Sequence, residues 1–173
     1  MEVRDLDLPQ RKSIRLISYD YSSIGYYFIT ICTHNRQHLF GSIICDEMVL
    51  NKYGKIVQQD LSKIPERFYN VELDKYIIMP NHIHFIIVIG PNPYTPLNSD
   101  RPATERSRPF PTIPKILGLF KSGTTRKAHE LNSKIIIWQK SYYDHIIRNE
   151  QEYQEIWKYI DTNPLLWHDD CYY

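Results

Sequence analysis

The reading of residues 71–89, VELDKYIIMPNHIHFIIVI, decides the fold. β-Branched and aromatic residues flank a Met79-Pro80-Asn81 break, which gives a strand from Val71 to Met79, a turn, and a strand from His82 to Ile89 folding back on the first. Toward the N-terminus, YYFITICT (residues 26–33) has the same character and is a strand; Ser42 to Leu50 is expected to be a second that pairs with it. Asn51 then caps a helix on which Tyr53, Ile56, Val57, Leu61 and Ile64 recur at helical spacing until Pro65. Toward the C-terminus, Pro91, Pro93, Pro96, Pro102, Pro109 and Pro111 exclude regular structure between Gly90 and Pro111. Ile113 to Leu131 reads as a helix despite Gly118 and Gly123, and Ile135 to Trp138 as a short strand. Asn149 caps a last helix, Glu150 to Thr162, which stops before Pro164 and is expected to bury Tyr153, Ile156, Trp157 and Ile160.

With Ser42 to Leu50 set aside, the order is β-α-β-β-α-β followed by one more helix. The class is therefore α+β, with a ferredoxin-like antiparallel sheet, an added N-terminal hairpin strand and a C-terminal helix. At 173 residues the chain is expected to be one domain, 1–173, with an N-terminal arm at 1–20 and a proline-rich loop insertion at 90–111. The longest apolar run, Phe85 to Ile89, is far too short to span a bilayer, and the first ten residues hold no apolar core behind a basic start. A cytoplasmic protein with no membrane partner is expected. Cys32, Cys45 and Cys171 form an odd set without a Cys-x-x-Cys pair, which argues against a disulfide framework or a thiolate zinc site and suggests reduced thiols, Cys32 buried.

A formal net charge of +1 gives no reason by itself to invoke nucleic acid. The distribution does more. Between Arg101 and Lys127 seven basic residues accompany one acid, Glu105, whereas from Asn149 to Asp170 six acids accompany Lys158 alone. One face can thus hold a polyanion while another stays acidic, although a solvated helix beside a basic loop gives the same pattern.

Strand alternation places His82 and His84 on one face with Ile86 and Val88, and Ile83, Phe85 and Ile87 on the other. Imidazoles so spaced, roughly 7 Å apart at Cα, can converge on a divalent metal. Two core histidines, each with a buried hydrogen-bond partner, satisfy the same pattern. An oxygen ligand would have to come from elsewhere, and the last helix offers one: Tyr159 and Asn163 are four apart and share a face. The plain alternative is that the tyrosine packs and the asparagine ends the helix.

At these residues the sequence resembles the REP-associated tyrosine transposases, a bacterial branch of the single-tyrosine HUH transposases. The resemblance rests on Arg11 to Leu16 with Tyr19 to Tyr21 and Gly25 to Thr33, on Ile78 to Phe85, on Phe120-Lys121-Ser122, and on Trp138 to Arg148 leading to Tyr159-Ile-Asp-Thr-Asn-Pro164. It implies that His82 and His84 bind a divalent metal, Mg²⁺ or Mn²⁺, that Asn163 is a third ligand, and that Tyr159 is the nucleophile. Tyr142, Tyr143 and Tyr153 then have no such role. The implied substrate is single-stranded DNA that folds into hairpins like repetitive extragenic palindromes. The implied reaction is cleavage and rejoining through a 5′-phosphotyrosine, by a nucleoid-associated monomer or homodimer. The loop from Gly90 to Pro111 departs from the family pattern in length and proline content. Lys115, Lys121, Arg126 and Lys127 are the expected backbone contacts, with the loop arginines; Tyr94 or Phe110 could stack on bases. Two other readings remain: a domesticated hairpin-binding protein without cleavage, and a metal-dependent phosphodiesterase that activates water.

Overall fold

The computed structural model describes residues 23–68, 70–90 and 111–167. The N-terminal arm, most of the proline-rich loop with Arg101, Arg106 and Arg108, Tyr94, Phe110 and Cys171 lie outside them. Strands β1 (Gly25–Cys32), β4 (Val71–Ile78), β5 (His82–Ile89) and β6 (Tyr143–Ile147) form one antiparallel sheet in the order β4-β5-β1-β6. That is the ferredoxin-like order, because the helices between β1 and β4 and between β5 and β6 make the two crossovers.

Alternation along the central strands divides the sheet into two faces. Tyr27, Ile29 and Ile31 of β1 and Ile83, Phe85, Ile87 and Ile89 of β5 are fully buried against α1 (Lys52–Ser62) and α3 (Ile113–Leu131), which contribute Val57, Leu61, Ile113, Ile116, Leu117 and Phe120. Each such side chain contributes on the order of 2 kcal/mol by leaving water. On the opposite face Phe28, Ile86 and Ile147 meet Ile160, Ile156 and Tyr153 of α4 (Glu150–Thr162). The helix capping anticipated from sequence is present: Asn51 Oδ1 accepts from the amides of Tyr53 and Gly54, and Asn149 Oδ1 from that of Glu152. Pro65 falls in the first turn of a separate one-turn helix, α2 (Ile64–Arg67), where its missing N–H costs nothing.

Three local expectations need correcting. Ser42 to Leu50 is not one strand paired with β1; β2 (Gly41–Ile44) and β3 (Glu47–Leu50) pair with each other. The chain reverses at Cys45 and Asp46, both with positive φ (51° and 62°), a conformation more familiar from Asn-Gly turns. Gly54 lets this hairpin close on α1, because a Cβ there would lie 2.2 Å from the Phe40 carbonyl oxygen. Second, the last strand of the sheet is β6 and not Ile135 to Trp138. That segment makes one bridge, Trp138 to Thr33, and otherwise covers the core edge with Ile137 and Trp138. Third, Trp157 is not on the buried face of α4: it is 36% exposed, with the Lys75 ammonium 3.6 Å from its ring centroid.

Candidate active site

The residues singled out from sequence divide between the two faces of the sheet. On the α4 face, Thr30 of β1 stands directly across from His84 of β5, and Cys32 across from His82. Both histidine rings are buried, with centroids 4.4 Å apart. The spacing of two along a strand has therefore brought the imidazoles together. His84 Nδ1 lies 2.8 Å from Thr30 Oγ1, and His82 Nδ1 lies 2.8 Å from Asn81 Oδ1. The neighbouring carbonyl-type oxygen at Asn81 calls for a proton on His82 Nδ1 and leaves the lone pair on Nε2. Burial, reinforced by the nearby His82, holds the His84 pKa well below the ordinary histidine value, so this ring is neutral at neutral pH and keeps one lone pair for a ligand.

Helix α4 brings the phenol. Tyr159 Oη is 3.2 Å from His84 Nε2, and its ring packs edge-on against His84 at 5.1 Å and Phe28 at 6.2 Å. Tyr159 is 37% exposed, so its hydroxyl rests on a buried imidazole while the side chain remains open to solvent. One turn further on, Asn163 is buried and still has helical backbone angles. Trp167 lies nearly parallel to the His82 ring at 6.0 Å and also meets His38 at 5.5 Å, which closes the His82 side of the niche.

The helix is held in place from the edge strand. A register shift in β4 between Leu73 and Tyr76 frees Asp74 and Lys75 to reach across it. The Tyr153 hydroxyl donates to Asp74 Oδ2 at 2.7 Å, and Lys75 bonds to Asp161. Tyr153 is thereby a poor nucleophile, because the adjacent carboxylate pushes its pKa up to about 12. Of the other tyrosines, Tyr142 packs against the main core, whereas Tyr143 on β6 is the register partner of Thr30 and so lies on the sheet face of His84.

The anticipated cationic contacts sit elsewhere. Lys115, Lys121, Arg126 and Lys127 are all on α3, across the sheet from Tyr159. Lys115 and Arg126 are exposed. Lys127 forms an ion pair with the fully buried Asp60. Lys121 donates to the carbonyls of Gln139 at 2.7 Å and Lys140 at 3.2 Å, and burial lowers its pKa. Thr30, Asn81 and Trp167 were not anticipated. Thr30 was discoverable, since an antiparallel partner strand places a same-face threonine opposite His84; Trp167 carried no comparable signal.

Among the described residues no three His, Cys, Asp or Glu side chains converge on a metal position. The donor set on offer is two buried imidazoles, each with an oxygen partner at Nδ1, with the Asn163 carboxamide on the adjoining helix turn. That combination of nitrogen and oxygen donors fits a divalent cation.

No family model matches the chain. An uncharacterised protein of Haemophilus influenzae is 43% identical over 169 residues, covering 94% of this chain and 93% of that protein. A solved structure of a REP-associated tyrosine transposase bound to a REP hairpin superposes with a TM-score of 0.57 at 18% identity, covering 87% of this chain and 73% of that one. The chain belongs to one family with the Haemophilus influenzae protein, and its fold is that of the REP-associated tyrosine transposase.

Proposed function

We propose that this protein is a transposase-type DNA strand transferase that cuts single-stranded DNA at hairpins with Tyr159 as nucleophile. The observation that carries the reading is the half-open Tyr159 phenol seated on the buried imidazole of His84. The bound hairpin of the structural neighbour supports the substrate class.

The residues define the chemistry. A phenol has an unperturbed pKa of about 10 and is a weak nucleophile at neutral pH. Here the Tyr159 ring is fixed between Phe28 and His84, so its oxygen is presented in a defined place rather than searching solvent. Attack of Tyr159 Oη on the scissile phosphorus forms a P–Oη bond and breaks the P–O3′ bond. A free 3′-hydroxyl and a 5′-phosphotyrosine result, and the ester retains the energy needed to rejoin another end. His82, His84 and Asn163 would hold the divalent cation, Mg²⁺ or Mn²⁺. When bound, that ion polarises the phosphate and stabilises charge on its non-bridging oxygens. His84 Nε2 lies 3.2 Å from the Tyr159 hydroxyl, so nucleophile and ligand position share one neighbourhood.

The test is a denaturing gel of the protein incubated with end-labelled single-stranded hairpin and Mn²⁺. A slow-migrating covalent band, abolished by chelator, is expected. Cleavage to free products with no adduct at any time would replace this reading by a water-using phosphodiesterase. Tight binding with no cleavage would replace it by a hairpin-binding protein.

A further inference from the structure

A cleft of about 620 Å³ runs between α3 and residues 135–140, on the opposite side of the sheet from Tyr159. It is pre-formed, because four hydrogen bonds tie its two walls together. Lys121 Nζ donates to the carbonyls of Gln139 and Lys140 at one end, Trp138 Nε1 donates to Thr124 Oγ1 at 2.7 Å in the middle, and His129 Nε2 pairs with the Ile135 carbonyl at 2.9 Å at the other end. The lining includes Arg126 and Lys140, both exposed, and the hydroxyl residues Ser122 and Thr125, and among the described residues no Asp or Glu lines it. Ile136, 59% exposed, offers an apolar surface along the same cleft.

Cations, hydroxyls and an apolar wall along one open cleft match the chemistry of a single polynucleotide strand, whose phosphates seek cations and whose unpaired bases seek apolar contact. The cleft also connects to the site. The Gln139 amide donates to the Cys32 carbonyl at 3.0 Å, and Cys32 is the register partner of His82. Two strand spacings, roughly 10 Å in the plane of the sheet, therefore separate the 138–139 segment from His82.

We propose that this cleft binds the sugar–phosphate backbone of the single-stranded DNA flanking the hairpin, with Arg126 and Lys140 as its phosphate contacts; the assignment rests on the functional reading above. Lys121 is then a positioning residue, spent on joining the walls, and not a DNA contact.

The experiment compares a fluorescein-labelled hairpin with a single-stranded tail against the same hairpin without one, across a salt titration. The Arg126→Ala/Lys140→Ala double variant is set beside wild type and a charge-matched control, Lys55→Ala/Lys63→Ala, on α1 and at its C-terminal cap. Both cleft side chains are exposed, so thermal unfolding should be unchanged. The expected result is a salt slope for the tailed hairpin lower by about 1.4, at about 0.7 per phosphate contact on a single strand. Binding of the untailed hairpin should match wild type. A slope equal to that of wild type, or an equal loss on the untailed hairpin, would overturn the cleft assignment. A weakened tail contact in a protein whose wild type forms no adduct would support the cleft and overturn the catalytic reading. Wild type that binds neither DNA would overturn both.

Discussion

The Tyr159 hydroxyl lies 3.2 Å from Nε2 of His84, whereas the Tyr153 hydroxyl, six residues earlier on the same helix, is bonded to the carboxylate of Asp74. The two phenols thus have different neighbours: Tyr159 a buried neutral imidazole, Tyr153 a carboxylate that opposes its ionisation and raises its pKa. A separation of six residues is about 600° of helical rotation, which leaves the two side chains some 120° apart.

Thr30 lends its hydroxyl to His84 Nδ1 from the neighbouring strand. Thr30→Val keeps the branched shape and removes that partner. Loss of an outer hydrogen bond to a ligating histidine typically lowers metal affinity or activity about 10- to 100-fold. Titration of Mn²⁺ into the two proteins, followed calorimetrically, should show a drop in that range with the fold intact. Equal affinity would mean that Thr30 does not orient the ring.

Lys127 should act on stability and not on DNA. Its partner Asp60 is fully buried, and Arg67 at 3.5 Å is the remaining cation beside it. Lys127→Met leaves a buried carboxylate short of compensating charge, at a cost of about 3 kcal/mol. Urea unfolding should show the loss as a lower midpoint, and the salt slope of hairpin binding should stay at its wild-type value. A stable variant with a reduced slope would return Lys127 to the DNA surface.

Much of this architecture was written in local pattern. Alternation in residues 82–89 assigns the histidines to one face and the core isoleucines to the other, as the pairing of β5 with β1 bears out. Asn51 and Asn149 mark helix starts because their side chains satisfy amides that the helices leave open. What was not legible depended on tertiary context. Ile135, Ile136 and Ile137 have strand-like composition but serve as a cover and a cleft wall, while the more polar YDHII at residues 143–147 completes the sheet. Cys45 and Asp46 turn a hairpin without glycine. The basic segment was visible in the sequence, but only the structure shows that Lys127 and Lys121 are turned inward.

Acid should loosen the start of α4 through Glu152. Its carboxylate accepts from the Arg148 amide and from His145, and these bonds, the first foremost, lower its pKa below the usual value. A group with a depressed folded-state pKa contributes stability above its unfolded pKa and loses it as pH falls through the folded value. Glu152→Gln should therefore melt below wild type at pH 6 to 7, by on the order of 2 °C for a surface interaction in a chain of this length. The gap should close in the acid range below about pH 4.3, the ordinary glutamate value. A gap that widened with acid would reverse the assigned sign.

The central claim is that Tyr159 forms the covalent bond to DNA. Tyr159→Phe keeps the ring that packs on Phe28 and His84 and removes only the oxygen. Wild type, Tyr159→Phe and Tyr153→Phe are incubated with labelled single-stranded hairpin and Mn²⁺, and any adduct is digested and its modified peptide sequenced by mass spectrometry. The account predicts a nucleotide on Tyr159 in wild type and in Tyr153→Phe, and no adduct in Tyr159→Phe. An adduct that persists in Tyr159→Phe, or maps to another tyrosine in wild type, would contradict it.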